Sequence, residues 1–213
     1  MSKLKLLAAT FVIAAMTTAS FAGISSGVRI GLGLADTDVA GSGSETLRTG
    51  AGGDSAAQGQ RTAGSSSAST SIGHLFLEKS FSNGFTLGFD YVPGEGSIGT
   101  GTRSDDDAET SGDNTASAEV SNHITYYGMM PLGDSPIFLK GGLTSMDVDT
   151  TENLSTGSTY ENTSVNGVMF GFGAHIERDN GLFIRAEYNS AEYENITLTS
   201  SGSNIVQADL DTE

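Results

Sequence analysis

Two regularities of this sequence restrict its fold more than any other feature. Apolar residues recur at every second position, and the segments carrying that pattern are joined by connections that alternate strictly between short and long. Val28, Ile30, Leu32 and Leu34 alternate with Arg29, Gly31 and Gly33. Phe85, Leu87, Phe89 and Tyr91 alternate with Thr86, Gly88 and Asp90. The same period runs through residues 137–144, 170–177 and 182–189. Two weaker runs place Leu75, Leu77 and Phe81 opposite His74 and Glu78, and Val120, Ile124, Tyr126 and Met130 opposite His123 and Thr125. Residues 204–213 supply an eighth run. Successive side chains of a strand point to opposite faces, so a period of two marks half-buried strands, and helical periodicity is hard to find.

Residues 82–84, 131–136 and 178–181 form the short connections, and Asn-Gly at 83–84 and 180–181 is a strong hairpin signal because a type I′ turn needs positive φ at both central residues. Residues 36–67, 93–117 and 150–162 form long polar connections. A soluble sandwich has no reason to send every long loop out of one end, whereas a transmembrane barrel has short turns at one rim and long loops at the other. The pattern predicts an all-β fold: an eight-stranded antiparallel up-and-down transmembrane β-barrel whose apolar stripes face outward. Unpaired backbone groups are too costly in lipid, so the sheet must close. Phe81, Phe85, Tyr126 and Phe183 are expected at the lipid–water boundary.

The N-terminus reads as an address. Lys3 and Lys5 precede an apolar run over residues 6–16, and Ser20-Phe21-Ala22 has the small residues of a cleavage site. That is a secretory signal peptide over residues 1–22, its apolar core too short for a spanning helix, followed by a barrel domain over residues 23–213. The expected location is the outer membrane of a Gram-negative-type cell.

The formal net charge is −16, and the chain without residues 1–22 carries about −18 by the same count. Such an acidic balance disfavours nucleic acid as a partner, since phosphates need Lys and Arg. The absence of cysteine excludes disulfides, thiol catalysis and thiolate-bound metals.

If the apolar faces look outward, Arg29, Glu78, Asp90, Lys140, Glu177, Arg185 and Glu187 line the interior. Three cations and four anions in a barrel just wide enough to be filled by its side chains are expected to form a bracing ion-pair network. Other candidate chemistry is weaker. His123 shares a strand face with Ser121 and Thr125, but no third group orients it as a base, so no enzymatic activity is expected. Residues 94–99 match G-x-G-x-x-G without the following helix that phosphate binding requires, and read as a glycine-rich loop. Asp105, Asp106, Asp107 and Glu109 form an acidic cluster. Asp105, Asp107 and Glu109 are weak candidate metal ligands, but Thr110 stands where an EF-hand loop needs Gly, so no metal or cofactor is expected.

With these strands in view, especially Ile137-Phe138-Leu139-Lys140-Gly141-Gly142-Leu143 and Leu182-Phe183-Ile184-Arg185-Ala186-Glu187-Tyr188, the chain resembles the OmpA/OmpX-type, opacity-like small outer-membrane barrels. The resemblance implies a monomeric eight-stranded barrel contacting outer-membrane lipid and lipopolysaccharide. Its implied role is structural or surface-interacting, with host or phage contacts through the loops. A small passive channel and a soluble secreted β-sandwich are the alternatives. Members of that family end in a strand with a terminal Phe. This chain ends Asp209-Leu210-Asp211-Thr212-Glu213, so the final strand is expected to be cut off halfway.

Overall fold

A computed structural model describes residues 27–47, 59, 61–106, 111–155, 157–177 and 183–212, with side chains at all but 103–106 and 111. The expected signal peptide and the hairpin at 178–181 lie outside the described residues. Every described element is a strand: β1 (Val28–Thr46), β2 (Arg61–Ser80), β3 (Thr86–Asp106), β4 (Ser111–Pro131), β5 (Ile137–Asn153), β6 (Thr163–Glu177), β7 (Phe183–Tyr193), β8 (Ile196–Thr199) and β9 (Ile205–Thr212). Strands β1 to β7 pair antiparallel in chain order, and β9 pairs with both β7 and β1, closing one ring of eight. The sheet is therefore a barrel and not two packed layers. The short strand β8 was not expected from the sequence. It pairs with β9 beyond the end of β7, after a break at Glu194 and Asn195.

Period two decides which face looks out. Leu34, Leu143, Phe170 and Ile176 are each about two-thirds exposed, whereas Phe76 and Phe138 are buried inside the ring. Two expectations about faces fail. Phe183 is buried against Phe76, ring centroids 6.1 Å apart, because it falls on the inward phase of β7 with Arg185. Val120 packs on the interior core instead of facing out. The cause is local: Asn122 takes a positive φ of 50°, the β4–β5 register slips between Ser121 and Ile124, and the two sides of that bulge have opposite phases.

The long connections are also corrected. Most of residues 36–67 and 93–117 is strand, with Asp36 to Thr46 continuing the β1–β2 ladder and Glu95 to Asp106 continuing β3 alongside β4. The glycine-rich segment at 94–99 lies within β3, where register shifts at Val92/Glu95 and Ser97/Gly99 mark bulges. Backbone pairing does not depend on side-chain polarity. These halves lack a clear alternation because Ser, Thr, Gly and Asp dominate both faces and inward apolar residues such as Val39 and Ile98 are sparse.

Small residues make room on the inward face. On β6, Gly167, Gly171 and Gly173 alternate with outward Val168, Phe170 and Phe172. A Cβ at any of the three would stand only 2.5 Å from a carbonyl oxygen of β7 (Glu192, Tyr188 and Ala186 respectively). A narrow barrel needs such alternation of small and large inward residues. Gly173→Val is therefore expected to destabilise the barrel by about 1–3 kcal/mol. A urea-unfolding midpoint in detergent measures it, and an unchanged midpoint would show that the wall can give.

The ring is not evenly laced. Pairing between β2 and β3 runs only from Leu75↔Tyr91 to Ser80↔Thr86 among the described residues. Beyond it, Pro93 has no N–H to donate and the β3 bulges turn that strand toward β4. Among the described residues, Ser66 Oγ donates to the Ile98 carbonyl at 3.1 Å across the opening.

Candidate functional site: the barrel interior

The interior has two levels. Toward the short turns lies a charged layer contributed by β2, β4, β5 and β7. Arg185 and Glu78, both buried, form a direct ion pair. The guanidinium stands over the Phe76 ring at 4.6 Å. Tyr127 Oη donates to Glu78 Oε1 at 2.6 Å. Lys140 Nζ donates to Glu187 Oε2 at 2.7 Å and sits 4.0 Å above the Tyr127 ring. Arg185 Nε also lies 2.7 Å from Glu187 Oε1, close enough for charge attraction but not aligned for a hydrogen bond. Arg29 pairs with Glu177 and Ser80 in a more exposed position. Asp90 is placed apart from the other carboxylates and pairs with His74 Nδ1 at 2.6 Å.

All seven charged residues singled out in the sequence thus stand in this layer or at its edge, with two distinct groupings around Arg185 and Arg29 and a third at Asp90. What the sequence reading missed is the aromatic share. Phe76, Tyr127, Phe138 and Phe183 occupy inward positions, and period two alone would have found them, since each lies one residue from an outward apolar neighbour.

Toward the long connections the interior is apolar. Val39, Ile98, Met146, Val148, Val165 and Leu210 pack together there. A cavity of about 240 Å³ lies within the barrel, lined by polar His74, Asp90 and Thr144 and by apolar Val39, Met146 and Met169 among others. Near it, His123 Nε2 is within hydrogen-bonding distance of the hydroxyls of Thr144 (2.8 Å) and Tyr193 (2.9 Å). Ser121 has left the His123 face through the Asn122 bulge, and it donates to Asp149 at 3.4 Å. The side chains of Asp105, Asp107 and Glu109 lie outside the described residues. Elsewhere among the described residues no cluster of three or more His, Asp or Glu is arranged to hold a metal ion.

Over the long-connection rim, the segment between β5 and β6 folds back across the barrel. Tyr160 Oη donates to Glu45 of β1 at 3.0 Å, and Ser201 N donates to the Thr159 carbonyl at 2.9 Å. Burial, with the Glu45 carboxylate beside it, raises the Tyr160 phenol above its ordinary pKa, so it remains a neutral donor.

The fold defines a closed eight-stranded antiparallel β-barrel with one further strand outside the ring. No protein-family model, curated protein or solved structure matches the chain.

Proposed function

We propose that this chain is an outer-membrane β-barrel protein with a structural or surface-interacting role and no enzymatic activity. One observation carries the reading: apolar residues that point away from the interior form a belt on the short-turn half of strands β1 to β7. Ile30, Leu32 and Leu34 of β1, Leu75 and Leu77 of β2, Leu139 and Leu143 of β5, and Phe170, Phe172 and Ile176 of β6 all belong to it. An apolar surface this extensive is rare on soluble monomers and marks an interface with protein or lipid. Along β6 the belt runs from Val168 to Ile176, about the nine to eleven residues a tilted strand needs to cross a bilayer. Above it the outward face turns polar at Asp36, Asp38 and Asp147, with Ser71 and Ser69 donating to the first two.

The surplus length supports the surface role. Strands β1 to β4 have 19 to 21 residues, roughly twice the crossing requirement, so the polar halves extend beyond the belt as paired sheet. Held in ladders, they offer a preformed surface to lipopolysaccharide or to a partner outside the cell. The ion-paired and aromatic layer that spans the interior toward the short turns favours a wall element over a passive channel.

The chain has no Trp, so one introduced indole reports its own surroundings. In vesicles with brominated acyl chains, Phe172→Trp is expected to be strongly quenched and Ser164→Trp, outward on the same strand beyond the belt, only weakly. Equal quenching at the two positions would defeat the membrane assignment.

A further inference from the structure

The wall of the barrel parts between β2 and β3. Among the described residues no backbone pair joins β2 above Leu75 to β3 beyond Tyr91, although β2 stays laced to β1 and β3 to β4 over the same stretch. The window is built into the chain. Pro93 has no N–H to donate, and bulges at Val92/Glu95 and Ser97/Gly99 turn β3 away. Gly94 and Gly99 take φ of 105° and 140°, which a side chain would resist. Thr70 shares the inward phase of β2 with Ile72 and His74, yet it is exposed. The window stands where the belt gives way to the polar wall. Leu75 faces out at its lower end, and Ser71 and Ser69, donating to Asp36 and Asp38, flank it above.

The interior cavity lies behind this window. β3 lines it with inward Val92 and Gly96 and also with outward Glu95 and Ser97, so the cavity passes through the wall there. From β2 to β6 its surface is mainly apolar, with Ile72, Val92, Val120, Met146 and Met169. A polar corner holds His74, Asp90 and Thr144. Both ends of the barrel are obstructed. The ion-paired layer of Glu78, Arg185, Lys140 and Glu187 lies toward the short turns. Val39, Ile98, Val148 and Leu210 pack together toward the long connections. Above them the β5–β6 segment is tied to β4 by Ser155 N donating to Asn114 Oδ1 at 2.7 Å, and to β1 by Tyr160.

We propose that the cavity binds a small single-chain amphiphile with an uncharged, hydrogen-bond-donating head, such as an aliphatic alcohol, and that the β2–β3 window is its entrance. Concave apolar walls with a few placed polar groups are the usual make-up of a ligand site. The chain packs on Ile72, Val92, Val120, Met146 and Met169, and the head meets Asp90. That carboxylate takes the His74 ring at Oδ2, and its Oδ1 has no hydrogen bond among the described residues. It accepts and does not donate, so it selects a donor and repels an anionic head. Lys140 and Arg185 border the same cavity and disfavour a cationic one. Supply of the amphiphile from the lipid side rests on the proposed membrane setting, while binding in the cavity does not.

The test follows methionine methyl resonances of the whole chain, isotope-labelled and held in detergent micelles, as decanol is added. Saturable shifts are expected at Met146 and Met169, which line the cavity, but not at Met130, which faces out and reports partition into the micelle. Decanoate, with a like-charged head facing Asp90, is expected to bind about tenfold more weakly or worse. A Cβ at Gly96 meets only Val120 Cγ2 within 4 Å, at 3.5 Å, so Gly96→Trp fills the window without a backbone clash. It is expected to abolish the shifts while the Met129 methyl, beside Arg185, keeps its position. Three results would overturn the proposal: unsaturable shifts alike at Met130, Met146 and Met169, equal binding of decanoate, or shifts that survive Gly96→Trp. If that variant does not fold, the first two comparisons, made on the unaltered chain, still decide. With decanol dissolved in the lipid of nanodiscs, Tyr160→Phe, which unpins the β5–β6 segment, should leave the exchange rate unchanged. Faster exchange would place the entrance at the mouth, on the water side, and overturn the lateral route. The Phe172→Trp quenching is indifferent to the micelle outcomes, so the two readings fail separately.

Discussion

Arg185→Ala is expected to lower the unfolding free energy by about 3–5 kcal/mol, the cost of removing one partner from a buried ion pair. Arg185 and Glu78 are each only 2% exposed, so the truncation leaves the Glu78 carboxylate buried without its cation. The truncation also removes the cation facing Glu187 and leaves a void over the Phe76 ring. Lys140 still meets Glu187 and Tyr127 still donates to Glu78, but a neutral phenol does not balance a carboxylate charge. Arg185→Lys should recover part of the loss. The ammonium keeps the charge but has neither the planar fork nor the stacking face that the guanidinium presents. Urea midpoints in detergent measure both variants. A loss below about 1 kcal/mol for Arg185→Ala, the scale of an exposed pair, would mean that this layer is hydrated and that the ion pairs do not brace the wall.

Leu139→Arg is expected to cost about 2–4 kcal/mol in a lipid bilayer, the penalty for a cation at the middle of a barrel's lipid face. Leu139 faces outward and pairs across the sheet with Phe172, in the centre of the belt. Asp147→Arg, outward on the same strand above the belt, supplies the comparison and should cost no more than about 1 kcal/mol, as at the interface. The contrast between the two sites is what matters, and unfolding in vesicles reads it. If both variants lose the same stability, the belt does not face lipid.

Much of this barrel can be read from the chain because its lower half obeys one simple rule. Where outward neighbours are apolar and inward ones are not, each residue declares its face, as in Ile137-Phe138-Leu139-Lys140. The inward positions of Glu78, Asp90, Lys140, Arg185 and Glu187 follow from the same rule, whereas Arg29 and Glu177 meet in a more exposed pair. Arg185 and Glu187 sit two apart on β7 and must share a face. Val120 was misread because a single bulge at Asn122 inverts the phase, and Asn122 carries no mark of that in the sequence. The upper halves of β1 to β4 give no such signal, because Ser, Thr, Gly and Asp dominate both faces and inward residues such as Val39 and Ile98 are too sparse to mark a period. Their ladders depend on backbone groups that every residue possesses.

Alternation along the chain determined the lower halves of the ring strands and most of their faces, since the pleat allows a side chain only two directions. Which charges meet, and where the β2–β3 ladder stops, only the tertiary structure decided. Partners such as Glu78 and Arg185 lie 107 positions apart, and their encounter depends on ring closure and register, quantities that no local pattern encodes.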